Sequence, residues 1–246
     1  MSTTASRARA QAAFETRTLL SNGEQLLVSL IIPALVLIGL AITKTPNLGH
    51  GRRIDLVVPG VLALAIVSTA FTGQAIATGF DRRYGVLRLF GVTPLGRTGL
   101  LAGKAIAVFV VVLLQTVLLS VLGVCLGWHP HLSGVVVAAI LMVVGTWTWV
   151  SIALLIAGVL RAEAVLAVAN LIWILLAAGG GLIYPTDRMP TTLGTAIRLL
   201  PSGALGNGLR DALNGHDVRL AVPLLVLVVW GGLATALTAR FFKWSD

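Results

Sequence analysis

The sequence predicts an all-α membrane protein, and three observations carry that reading. Of 246 residues, 57% are hydrophobic and only 11% charged, against roughly a quarter charged in a water-soluble domain. The mean hydropathy is +0.96. Six stretches free of Asp, Glu, Lys, Arg and His follow one another: Leu26–Thr43, Leu56–Phe80, Ala105–Trp128, Leu132–Leu160, Ala164–Pro185 and Leu220–Ala239. A helix needs about 20 residues to cross a ~30 Å hydrocarbon core, so the first stretch stands nearly upright and the longer ones tilt. Lipid satisfies no open backbone group and no alternating strand pattern is present, so each stretch is expected to be a helix.

The elements follow in chain order. Residues 1–25 are polar and mixed in charge, with no short apolar core before a small-residue cleavage site, so the first apolar segment is expected to stay in the mature protein. Within them, residues 6–24 carry a weak apolar stripe (Ala10, Phe14, Thr18 or Leu19) flanked by Arg7, Arg9 and Arg17, the pattern of a helix lying in the membrane interface. The alternative is a disordered basic tail. Residues 26–239 form the six-span bundle and 240–246 a short tail. Turn chemistry at Thr45-Pro46-Asn47, Trp128-His129-Pro130 and Leu160-Arg161-Ala162-Glu163 separates spans. Two connections are long, Asp81–Lys104 and Thr186–Arg219. There is no internal repeat and no soluble domain, so the chain reads as one membrane domain over residues 1–246.

Eighteen Lys and Arg stand against nine Asp and Glu. With the N-terminus inside, eleven of the basic residues fall in inner segments and seven outside, which favours two cytoplasmic termini. No basic run is interleaved with aromatic residues, which argues against nucleic acid. The single Cys125 lies in an apolar run and makes no internal disulfide or Cys-based zinc site. His50, His129, His131 and His216 all fall in outward loops, where ordinary interfacial histidines are the default and a His129–His131 metal site lacks further ligands. Gln74, Gln115 and Asn170 are the costly polar residues of the spans, expected to face protein or a cavity.

The loop after span two reads Asp81-Arg82-Arg83-Tyr84-Gly85-Val86-Leu87-Arg88-Leu89-Phe90-Gly91-Val92-Thr93-Pro94-Leu95, then Gly103-Lys104. A charged cluster leads into a short amphipathic helix with Leu87, Leu89 and Phe90 available to dock, and Thr93 caps a second with Pro94 in its first turn. A solvated positive-inside loop accounts for these residues equally well. The outer tail runs Gly181-Leu182-Ile183-Tyr184-Pro185, Met189-Pro190, Leu200-Pro201 and Gly208-Leu209-Arg210-Asp211-Ala212-Leu213.

In order and spacing these motifs resemble the ABC-2 type transporter permeases, closest to the short bacterial drug-exporter permeases of the daunorubicin-resistance kind. The likeness covers essentially the whole chain. It implies a connecting helix at residues 6–24 and a coupling helix within Asp81–Phe90 that meets a separate ATPase subunit with two nucleotide-binding domains. The contact would use Asp81, Arg82, Arg83, Gly85, Leu87, Arg88, Leu89, Phe90, Thr93 and Pro94, with a smaller one at Arg161 and Glu163. Residues 184–214 would form two re-entrant helices, an extracellular gate carrying Tyr184, Pro185, Pro190, Pro201 and Arg210. It also implies a bacterial plasma membrane location and a second permease chain, identical or paralogous. The chain departs from the family pattern at Asp81, where Glu is usual, and at Val86, where Thr is frequent.

The chain itself lacks a phosphate loop: Thr98-Gly99-Leu100-Leu101-Ala102-Gly103-Lys104-Ala105 has its first Gly displaced and no hydroxyl after the lysine. ATP and magnesium would therefore be bound by the partner subunit, and the chain is expected not to be an enzyme. A proton- or sodium-driven carrier normally needs an ionisable residue at membrane depth, and the six spans have none. Two readings are thus left, an exporter permease for a hydrophobic or amphiphilic substrate and a non-transporting membrane scaffold. Polysaccharide export fits less well, since the spans are poor in aromatic residues.

Overall fold

The computed structural model describes residues 4–21, 30–43, 45, 47–48, 51–91, 96–215 and 220–243. Among them it is built from helices: α1 (Thr4–Ser21), α2 (Ile32–Ile42), α3 (Arg53–Ile66), a π-helical segment (Val67–Gly73), α4 (Gln74–Arg83), α5 (Val86–Gly91), α6 (Gly96–Cys125), α7 (Leu132–Val159), α8 (Ala162–Gly179), a 3-10 turn (Thr186–Arg188), α9 (Thr191–Arg198), α10 (Pro201–Leu213) and α11 (Ala221–Phe241). Five helices are long and apolar enough to cross a membrane: Arg53–Arg83, Gly99–Cys125, Leu132–Val159, Ala162–Gly179 and Ala221–Phe241. Of the first expected span, residues 30–43 are described and hold the apolar α2, opened by a proline in its first turn. Residues 26–29 of that span lie outside the described residues.

Helix α3, the π segment and α4 run on as one rod of 31 residues, about 46 Å long at 1.5 Å per residue. This rod is the axis of the bundle. Val57 through Val67 are buried in succession, and Phe71 meets Trp149 of α7 with ring centroids 5.4 Å apart. Its N-terminal half packs on α2, α6 and α10, and its C-terminal half on α7 and α8. Helices α6, α8 and α11 keep one exposed apolar face each, the surface a bilayer would cover.

Small residues and sparse polar links hold the rods together, as expected where lipid removes most of the hydrophobic drive. Gly231 of α11 lies so close to Trp147 that an added Cβ would come 2.5 Å from the ring. Gln115 of α6 bonds Thr69 of the π segment at 2.9–3.0 Å, Trp173 donates to Ser68 at 2.7 Å, and Thr148 donates to the Leu227 carbonyl at 2.9 Å. Gln74 turns to Thr78 one turn on, at 2.9 Å. Two of the three expected costly residues are therefore buried and satisfied. Asn170 is the exception, since it sits on the exposed face of α8.

Span five also ends earlier than its composition suggests. The apolar run reaches Pro185, but α8 stops at Gly179, where Gly180 and Gly181 follow and Gly181 turns to φ +78°. Three consecutive glycines add nothing to hydropathy and a great deal to chain freedom, so the backbone leaves the helix there.

Candidate functional site

The ends of α4, α7 and α11 and the starts of α6 and α8 meet at one end of the bundle, with α1 laid across α6. Helix α1 approaches at Gly103, where a Cβ would come 2.8 Å from Gln11 Cγ. Gln11 and Ala12 are buried there, whereas Phe14 of the anticipated stripe stays exposed.

Three charges tie this end together. Lys104 of α6 is nearly buried and reaches Asp81 of α4 at 2.7 Å and Glu15 of α1 at 3.2 Å. Gln11 donates to the same Glu15 at 2.9 Å. Asp81, anticipated at a partner contact, is thus turned to an internal cation. Lys104 appears in the sequence motif only as a marker of the next span, and Glu15 was not singled out. An amine at the edge of an apolar run demands a counter-charge, and with nine acids in the whole chain the candidates were few.

Arg82 is turned inward as well. It is 3% exposed and donates to the carbonyls of Ala157, at 2.8 Å, and Leu160. These are last-turn acceptors of α7 that lack helical partners, and a cation suits the negative end of the helix dipole. The chain after α11 adds to the same cap, Lys243 N–H donating to the Gly158 carbonyl at 3.0 Å.

The next residues look outward. Arg83 forms an ion pair with Glu163 in the first turn of α8, which joins the two segments read separately in the sequence, 81–90 and 161–163. Gly85 then takes φ +74°, a left-handed turn that costs glycine nothing, and starts α5 at an angle to α4. On α5, Leu87 is fully buried and Leu89 is 68% exposed, beside Tyr84 at 72%. Leu87 therefore anchors α5 and offers a partner no surface, contrary to its expected docking role. Leu89, Tyr84, Arg83, Glu163 and the exposed Arg161 form the accessible patch. The side chains of Arg88 and Phe90, with Thr93 and Pro94, lie outside the described residues.

At the opposite end, two short helices and a 3-10 turn occupy the stretch after span five. Pro185 precedes the 3-10 turn, Pro190 precedes α9 and Pro201 opens α10, each where a missing N–H costs nothing. Helix α10 is buried along almost its whole length against α3, α7 and α11. Arg210 lies within it, donating to the carbonyls of Gly181 and Ile183 at 2.9 Å and to that of Leu182. Those are the carbonyls of the non-helical turn after α8, which the buried guanidinium supplies with donors. Thr186 accepts from Asn207 at 2.9 Å and Arg198 at 3.0 Å, holding the 3-10 turn to α9 and α10. Pro185 is buried, Tyr184 half-buried and Pro190 exposed. Tyr184, Pro185, Pro190, Pro201 and Arg210, expected in two re-entrant helices of a gate, lie in or beside this element.

An all-helical bundle with five helices long and apolar enough to span a bilayer defines a multi-pass membrane protein. Residues 21–240 match the family model described as ABC-2 family transporter protein, and the chain belongs to that family. That family is one of transmembrane transport subunits of ABC transporters, which are not themselves enzymes and normally work with an ATPase partner. No curated protein matches the sequence.

Proposed function

We propose that the chain is the membrane half of an ATP-driven exporter for a hydrophobic or amphiphilic substrate. A separate ATPase would seat on the patch around α5, and the α9–α10 element would gate the far side. The single observation that carries this is the Arg83–Glu163 pair. It joins the end of span two to the start of span five directly beside exposed Leu89 and Tyr84, so a push on α5 reaches two spans at once. The excess of basic residues on that side orients it, and both termini, toward the cytoplasm.

Leu89→Asp tests the reading without touching the buried anchor Leu87. Losing the burial of one large apolar side chain shifts partner affinity about ten- to a hundredfold. Co-purification of the ATPase and substrate-stimulated hydrolysis should fall accordingly while membrane insertion is unchanged. Leu132→Asp, exposed at the opposite end, serves as the control and should do neither. Wild-type behaviour of Leu89→Asp in both assays favours a membrane scaffold instead.

Asn170 supports a second copy. Mid-span, an amide exposed to lipid is costly, and Ala164, Ala167 and Ala178 share the exposed side of α8 with it. A partner α8 would accept the amide and pack closely on the alanines. Asn170→Cys on a Cys125→Ser background should therefore crosslink to a covalent dimer in membranes under mild oxidant, and Leu225→Cys on the exposed face of α11 should not. Equal crosslinking of both variants sinks this interface.

A further inference from the structure

Helices α6 and α7 diverge to leave an apolar cavity of about 770 Å³. Phe109, Leu113 and Val121 line one wall and Ala139, Met142 and Val143 the other. Two of its three lining hydroxyls, all but that of Ser120, are engaged. Thr146 donates to the Met142 carbonyl at 2.7 Å, and Thr116 to Met142 Sδ at 3.8 Å. What faces the space is almost all hydrocarbon. A second cavity, of about 580 Å³, lies between α1 and α6 and shares Ile106 and Val110 with the first. The two adjoin at these residues and together trace a track along α6. From Ile106 to Cys125 it follows α6 for about 28 Å, close to the thickness of a hydrocarbon core.

The α1 end of the track is polar and positive. Arg17 and Thr16 line it with Ser21. The Ser21 hydroxyl is taken by the Arg17 carbonyl, whereas the Arg17 guanidinium has no ion pair or hydrogen bond among the described residues. The nearest acid on α1, Glu15, is already held by Lys104 and Gln11. An apolar slot beside a cation with no partner among the described residues suits an anionic lipid, whose acyl chain reaches about half of a ~30 Å core and so fills the part nearer α1. We propose that the track holds an anionic phospholipid, its acyl chain between α6 and α7 and its phosphate against Arg17. The site does not depend on what the transporter carries.

Native mass spectrometry of the full chain in mild detergent tests this, with dioleoyl phosphatidylglycerol and dioleoyl phosphatidylcholine as probes. The wild type should keep about one phosphatidylglycerol per chain and prefer it about fivefold, the effect of one basic residue at a membrane surface. Arg17→Ala should abolish the preference while leaving the phosphatidylcholine level unchanged. Ala139→Trp and Val143→Trp fill the slot from its exposed side and should lower retention of both lipids, with an unchanged melting profile for at least one of the two. The proposal is overturned by equal retention of the two lipids in the wild type, by a preserved preference in Arg17→Ala, or by full retention in both tryptophan variants. A change in oligomeric mass in place of lipid loss overturns it too, because it assigns the groove to a second copy.

Discussion

Lys104→Met is expected to detach α1 from the bundle and, on the proposed exporter reading, to uncouple the chain from an ATPase partner. The amine stands between Asp81 and Glu15 with little access to solvent. Removing it leaves two carboxylates facing each other across the α1–α4 junction with no cation between them. Breaking a buried ion pair by deleting one partner costs about 3–5 kcal/mol. Part of that is recovered if α1 lifts off and lets both acids hydrate, so the protein should keep its spans and lose the α1 contact. Limited proteolysis should cut at Arg7, Arg9 or Arg17 at least tenfold faster than in the wild type, and substrate-stimulated ATP hydrolysis should fall to the unstimulated level. Glu15→Gln keeps the Lys104–Asp81 pair and should have a small effect. A protease pattern unchanged by Lys104→Met rejects the clamp.

Arg210→Met should have the largest effect on stability. The side chain is nearly buried in α10 and supplies donors to three consecutive carbonyls, those of Gly181, Leu182 and Ile183. Each buried acceptor left unpaired costs about 1–3 kcal/mol, which places the loss at about 3 kcal/mol or more, in the tail of single-substitution effects. Arg210→Lys restores the charge with a point-like ammonium that reaches fewer of the three, and should recover only part. The melting temperature of the detergent-solubilised protein measures both. A Met variant as stable as the wild type shows that water satisfies the turn and that the guanidinium is not its support.

The spans were legible because charge exclusion is a coarse signal that needs no partner to be read. Leu132–Leu160 was drawn within one residue of α7 on that ground alone. The junction of spans was harder. Arg82 and Arg83 are adjacent and chemically identical in sequence, yet one caps α7 from inside and the other pairs with Glu163 at the surface. Only the angle at which α4 leaves the bundle distinguishes them, and that angle is a property of packing. Leu87 and Leu89 split in the same way. In a six-residue helix, two positions apart means nearly opposite faces, so either was a fair candidate until α5 had something to lie on. The early end of α8 and the role of Arg210 belong together, since the turn that needs donors is 27 residues or more from the group that provides them.

The π segment at Val67–Gly73 has a consequence for span two that composition does not express. Each residue of an α-helix advances the side chains by about 100°, and a π turn accommodates an extra residue in the same rise. It therefore acts as a phase shifter in the middle of the rod, letting the N-terminal half present one azimuth to α10 and the C-terminal half a different one to α7 and α8. Wound as an ordinary helix with the same number of residues, the segment would swing Asp81, Arg82 and Arg83 together by about 100°, away from Lys104, the α7 carbonyls and Glu163 at once. The wide turn is a timing mark that keeps three separate contacts in register.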